Sequence, residues 1–135
     1  MTDRASCLCG QITINTDIVR RNFTACHCSM CRKWGGLWMA VECSNVHFDS
    51  EDMLATYGSS AWAERGFCSN CGTHLFYRVK RDDQYYIPVG LFDGVDDFVL
   101  KRQIYIDQKP DYFCLANETA EFTEAELTVA DPPDE

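Results

Sequence analysis

The sequence predicts a mainly β domain with short helical turns. Short apolar/polar alternating stretches recur along it, turn-forming residues separate them, and helical periodicity is scarce. The first stretch is Gln11-Ile12-Thr13-Ile14-Asn15-Thr16, whose β-branched residues alternate with polar ones as a half-buried strand requires. Comparable stretches follow at 38–41, 54–57, 73–78, 84–89 and 99–106. Gly35-Gly36, Gly58-Ser59-Ser60, Arg81-Asp82-Asp83 and Asp93-Gly94 fall between them and supply the turns. One short helix is expected to begin at Ser29, a residue suited to N-capping, and to stop at the glycine pair. A second helical turn is expected over 122–127, where Thr123 precedes Glu124 and Glu126.

With 135 residues, 46% of them hydrophobic, the chain can bury one core without cross-links. We expect a single domain over residues 1–117 followed by an acidic C-terminal tail at 118–135. From Glu118 onward there are seven acidic residues and no basic one, while the preceding 117 carry 14 acids against 12 bases. The net charge of −9 is therefore concentrated at one end, and a solvated terminus is its simplest reading. Acids and bases are close to balance outside that end, whereas phosphate contacts need clustered Lys and Arg, so no nucleic-acid partner is expected. No apolar run approaches the roughly 18 residues of a membrane span, and cysteines directly follow the N-terminal Met1-Thr2-Asp3-Arg4-Ala5-Ser6. The expectation is a cytoplasmic protein with no membrane partner. In that reducing compartment clustered cysteines read as metal ligands or reactive thiols.

Seven of the nine cysteines form three tight groups, at Cys7 and Cys9, at Cys26, Cys28 and Cys31, and at Cys68 and Cys71. In an extended Cys7-x-Cys9 both sulfurs lie on one face. Cys68-x-x-Cys71-Gly72 is a knuckle whose turn brings two sulfurs to one side, and Gly72 accepts the positive φ such turns use. These two pairs together make a closed four-thiolate zinc site that pins the chain start to its middle. Cys26, Cys28 and Cys31 make a second set, with a helix start close by to favour thiolates and Arg32 and Lys33 following directly. Its fourth position is either open or filled by His27, His74, Cys43 or Cys114. His27, between two ligands in an extended stretch, should point away from the metal.

The motifs Cys7-Leu8-Cys9-Gly10, Cys26-His27-Cys28-Ser29-Met30-Cys31-Arg32-Lys33, Arg65-Gly66-Phe67-Cys68-Ser69-Asn70-Cys71-Gly72-Thr73-His74-Leu75-Phe76 and Ile104-Tyr105-Ile106-Asp107-Gln108-Lys109-Pro110 resemble one family. It is the glutathione-dependent formaldehyde-activating enzyme family, which also includes centromere protein V. The resemblance spans about residues 5–112. It implies a zinc-containing β-tent-like fold with two zinc ions per chain. By motif position Cys7, Cys9, Cys68 and Cys71 correspond to the structural zinc ligands, and Cys26, Cys28 and Cys31 to the catalytic ones.

What the resemblance implies functionally is a carbon–sulfur lyase of the S-hydroxymethylglutathione synthase type. Such an enzyme joins or cleaves a thiol–aldehyde adduct, with glutathione as the small-molecule thiol and formaldehyde as the aldehyde. Arg32, Lys33 and Arg65 are candidates for the glutathione carboxylates or for balancing the thiolate charge. His27 and His74 are candidate acid–base groups, and Trp34, Trp38, Trp62 and Phe67 either line a pocket or fill the core. Two other readings stand beside this one. The first is a non-catalytic zinc-binding module that docks a protein through its sheet or acidic tail. The second is a redox switch at Cys26, Cys28 and Cys31.

Overall fold

The structure is a computed structural model and describes residues 2–94 and 96–130. Ten strands form one sheet: β1 (Asp3–Ser6), β2 (Thr13–Ile18), β3 (Asn22–Cys26), β4 (Trp38–Phe48), β5 (Leu54–Tyr57), β6 (Ala63–Cys68), β7 (His74–Val79), β8 (Gln84–Pro88), β9 (Val99–Ile104) and β10 (Ala120–Phe122). Two short helices, α1 (Ser29–Gly35) and α2 (Glu124–Ala130), and 3-10 turns at Val89–Leu91 and Ile106–Gln108 complete it. The mainly β class expected from the alternating stretches is what the chain adopts. Among the described residues, no helix is long and apolar enough to cross a membrane.

The main path runs β10-β9-β3-β4-β8-β7-β6-β5. Pairing is antiparallel except where β9 runs parallel to both β3 and β10. The long strand β4 organises the rest. It pairs with β8 along one edge, while β3 and then β2 share the other. Because strand side chains alternate, β4 serves two faces at once. Trp38 and Ala40 enter one buried cluster, with Cys26, Cys28, Cys31, Ala63, Tyr77 and Val79. Val41 and Cys43 enter the other, with Ile12, Ile14, Cys68, Leu75, Phe76 and Ile87. Each cysteine group thus reaches its own core.

Four strands lie outside the expected stretches, and each has a local reason. β1 and β10 are only four and three residues long. β3 is short and mixed in polarity, and it is held between β4 and β9 rather than by its own pattern. In β6 the alternation is disguised by a charged Arg65 and by Gly66, both of which are buried. At the other end, the strand expected to run to 106 stops at Ile104, because Tyr105 turns to φ 54° and begins a 3-10 turn.

The acidic segment after residue 117 is more than a solvated terminus through residue 130. β10 adds to β9, and α2 packs Leu127 against the cluster that holds Cys26, Cys28 and Cys31. Its start is a capping box: the Glu126 N–H donates to Thr123 Oγ1 at 3.3 Å, and the Thr123 N–H donates to Glu126 Oε1 at 2.8 Å. Asp131, Asp134 and Glu135 of the expected tail lie outside the described residues.

Of the glycines, Gly66 has the least room for a side chain. A Cβ built there would meet the Phe76 ring at 2.3 Å, so the ring occupies space that any side chain would need. Replacing Gly66 with Ala should destabilise the fold by about 1–3 kcal/mol, the usual cost of overpacking a close-packed interior. Thermal unfolding of G66A measures this, and an unchanged midpoint would contradict it.

Candidate metal centres

The first centre is built from two turns that meet. After β1, Cys7 and Cys9 are followed by Gly10 at φ 81°, whose N–H donates to the Cys7 carbonyl at 3.1 Å. After β6, Cys68 and Cys71 are followed by Gly72 at φ 80°, whose N–H donates to the Cys68 carbonyl at 2.7 Å. Both glycines adopt the left-handed conformation that a side chain would strain. The four sulfurs lie within 4.8 Å of one another, with Cys7 and Cys9 3.6 Å apart and Cys9 and Cys68 3.8 Å apart. Sulfurs at the corners of a tetrahedron about 2.3 Å from a zinc ion stand about 3.8 Å apart, so the spacing fits such an ion. A disulfide would need about 2.05 Å, and all of these cysteines are free.

Neutral donors support the first set. The Thr73 hydroxyl accepts from the Leu8 N–H at 3.0 Å and shares a hydrogen bond with Cys71 Sγ at 3.1 Å. That hydrogen bond leads the causes that draw the Cys71 thiol down to about 5. The Asn70 side chain lowers Cys9, whereas burial raises Cys68. The Ile12 N–H donates to Cys7 Sγ at 3.4 Å.

The second centre lies in the other core. Cys26 ends β3, Cys28 caps α1, and Cys31 lies in its first turn. Cys28 keeps extended backbone angles, φ −62° and ψ 161°, while its sulfur accepts the Cys31 N–H at 3.3 Å. The cap expected at Ser29 therefore falls one residue earlier, on a thiol. All three cysteines are buried and their sulfurs lie within 4.8 Å of one another. Among the described residues, no further His, Cys, Asp or Glu ligand atom joins them.

None of the four residues that could have closed this set joins it. His27 is buried with Nε2 2.7 Å from Gln103 Oε1, and its ring centre lies 5.6 Å from that of Phe113. His74 stacks on Trp34, with ring centres 3.8 Å apart and planes 20° from parallel. Burial, and then the Arg65 charge, hold its pKa below the ordinary histidine value. Cys43 belongs to the opposite core, where burial pushes its thiol up to about 12, and Cys114 is exposed.

The three cations considered for substrate carboxylates occupy three different environments. Lys33 is exposed, and Arg32 donates through Nη1 to the Gln108 carbonyl at 3.1 Å. Arg65 is only 1% exposed, and its Nη2 lies 3.7 Å from Cys31 Sγ. A cleft of about 350 Å³, lined by Gly35, Leu37, Trp38, Met39, His74 and Pro88 among others, shares Trp38 with the buried cluster that holds Cys26, Cys28 and Cys31. Of the aromatic residues considered for a pocket, Trp38 lines the cleft, Trp34 backs His74 and meets Phe67 edge-on, and Trp62 is 41% exposed.

Several contacts around the second centre become visible only in the fold. Gln103 joins His27 to Thr119, donating through Nε2 to Thr119 Oγ1 at 3.0 Å. Gln108 accepts the Ser29 N–H at 3.2 Å and donates to Glu124 at 2.9 Å, tying α1 to α2. A glutamine in a run such as Lys101-Arg102-Gln103 looks like any solvent-facing residue until the strand's neighbours are known. Thr73 of the first centre, next to the Cys71-Gly72 knuckle, was open to inference from its position.

The chain matches the family model described as glutathione-dependent formaldehyde-activating enzyme over residues 2–108. An uncharacterized lyase from Schizosaccharomyces pombe is 37% identical over 125 residues, covering 90% of this chain and 91% of the relative. A protein of Podospora anserina, named provisionally as a glutathione-dependent formaldehyde-activating enzyme, is 32% identical over 91 residues. That match covers 59% of this chain and 41% of the relative. A crystal structure of a Rhodobacter sphaeroides protein superposes with a TM-score of 0.59 at 23% identity, over 69% of this chain and 90% of that one, which supports the fold alone. A family match over most of the chain, carried by the same cysteine motifs that converge in space, places this protein in the glutathione-dependent formaldehyde-activating enzyme family.

Proposed function

We propose that the protein is a zinc-dependent carbon–sulfur lyase that joins or cleaves a thiol–aldehyde adduct such as S-hydroxymethylglutathione. The observation that carries this reading is the difference between its two cysteine sets. Four sulfurs fit a closed structural site, whereas three buried sulfurs with no fourth protein ligand among the described residues fit a site that keeps one position for substrate. Membership of the family, and the lyase and formaldehyde-activating names of the relatives, support the same reaction class.

A zinc ion held by Cys26, Cys28 and Cys31 would supply Lewis acidity and favour the thiolate form of an incoming thiol. In the joining direction the thiol sulfur bonds to the carbonyl carbon, the C=O π pair moves to oxygen, and the proton lost from sulfur ends on that oxygen. Cleavage is the reverse. The chain's own residues would hold the adduct and serve the oxygen. The indole N–H groups of Trp34 and Trp38 are buried without an acceptor in the protein, and Trp38 forms part of the cleft wall. A buried donor with no partner is unfavourable, and the developing alkoxide of the adduct is the acceptor that would complete it. Burial and the Arg65 charge bias His74, on the same wall, toward its neutral form, which can accept a proton. His27 is less suited to this step, since its Nε2 is committed to Gln103.

Two measurements test the reading. Wild-type protein should accelerate formaldehyde loss only when glutathione is present, and C28A should abolish that acceleration while reducing bound zinc from two ions to one. Retention of both properties in C28A would refute the assignment. W38F keeps an aromatic side chain, though a smaller one, and removes the donor, so kcat should fall on the order of 100-fold with KM little changed. An unaltered kcat would exclude Trp38 from the oxygen's environment.

A further inference from the structure

We propose that Arg65 is a positioning residue of the second centre: its guanidinium balances the charge of the three cysteines and so allows an anionic sulfur to join them. This rests on the reading that Cys26, Cys28 and Cys31 hold a divalent ion.

A guanidinium is never deprotonated in a protein, and burying its charge is costly unless negative groups compensate it. Arg65 is 1% exposed, yet its Nη2 is directed at Cys31 Sγ from 3.7 Å. Its Cζ lies 4.8 Å from the Tyr77 ring centre, 5.8 Å from that of Trp34 and 6.0 Å from that of Trp38. Aromatic faces attract a cation through their quadrupole without neutralising it. The rings fix the guanidinium in place with Nη2 turned toward Cys31. β6 delivers it there by strand alternation: Ala63 enters the three-cysteine core, Cys68 enters the opposite core, and Arg65 pairs in register with the same Tyr77 whose ring it covers. His74, which lines the cleft, stacks on the same Trp34 ring that Arg65 approaches, so the guanidinium lies one ring away from the cleft wall.

Charge counting gives the consequence. Three thiolates around a divalent ion leave one net negative charge, and Arg65 brings the assembly to zero. A fourth thiolate then produces a single negative charge instead of two in a buried place, where repulsion is poorly screened. The first centre lies closer to solvent, since Cys9 is exposed and Cys71 half-buried, whereas all three cysteines of the second are buried. Arg65 would accordingly favour an anionic sulfur over a neutral fourth ligand.

The test uses the full chain with cobalt(II) in both centres, comparing wild type, R65M and R65K. Chelator competition reads metal affinity, and thiolate charge-transfer bands read glutathione joining the second centre. In R65M the first centre should keep its metal, while second-centre affinity and the glutathione-dependent band change each weaken about 10- to 100-fold. R65K, which keeps the charge, should recover most of both. Wild-type affinities in R65M would overturn the proposal, as would equal loss in R65M and R65K, which indicates packing alone. If R65M fails to fold, R65K decides: near-wild-type glutathione binding supports charge balance, and a loss of tenfold or more overturns it. Wild-type protein binding only one metal would instead refute the lyase reading on which the proposal rests.

Discussion

Thiol sulfurs that ionise inside a protein repel one another and lose their hydration, so a buried cluster of them needs a compensating charge. This chain faces that problem twice, on opposite faces of one sheet. The first cluster gathers sulfurs from residues 7 to 71 within 4.8 Å, which no local structure could achieve, and it joins the turn after β1 to the turn after β6. Metal affinity for such a set is folding free energy, because the unfolded chain does not present it. The second cluster comes from a single segment, 26–31, whose geometry follows from the end of β3 and the cap of α1. Its metal would add less to the fold's long-range order and has more freedom to serve chemistry.

The sheet keeps these tasks apart. β4 and β6 each send alternate side chains to the two cores, so the two sets of sulfurs belong to separate buried clusters and share no ligand. Gly66 shows how little room that division leaves, with the Phe76 ring lying where its side chain would be. Arg65 and Gly66 are neighbours with opposite duties. One carries a charge to the three-cysteine face, and the other makes space on the four-cysteine face. The C-terminal segment adds a further layer, since α2 packs on the second core and Gln108 links it to α1.

Much of this was legible in the residues. Alternation and turn-formers gave most strands of the sheet, because period-two burial is written directly into side-chain order. The fold brings together the same two sets of sulfurs that spacing suggests, since thiols two or three residues apart have few ways to face different points. The sequence did not disclose β6, because a buried arginine and a glycine look like loop residues until three aromatic rings and a packed Phe76 surround them. Nor did it disclose the placement of the acidic segment through residue 130. Its capping box is local and readable, but the pairing of β10 with β9 is a long-range contact with no local signature. Arg65 was singled out as a cation near the cysteines, but its burial against Cys31 required the fold.

The central claim is that the two centres differ by one ligand, and X-ray absorption at the zinc K-edge tests it most directly. Protein loaded with two zinc ions should show an average of about 3.5 sulfurs per zinc, the remainder being a lighter oxygen or nitrogen neighbour. Adding glutathione should raise the average to about 4 and remove the lighter neighbour. An average of 4 sulfurs before any thiol is added, or a spectrum that glutathione leaves unchanged, would contradict the account.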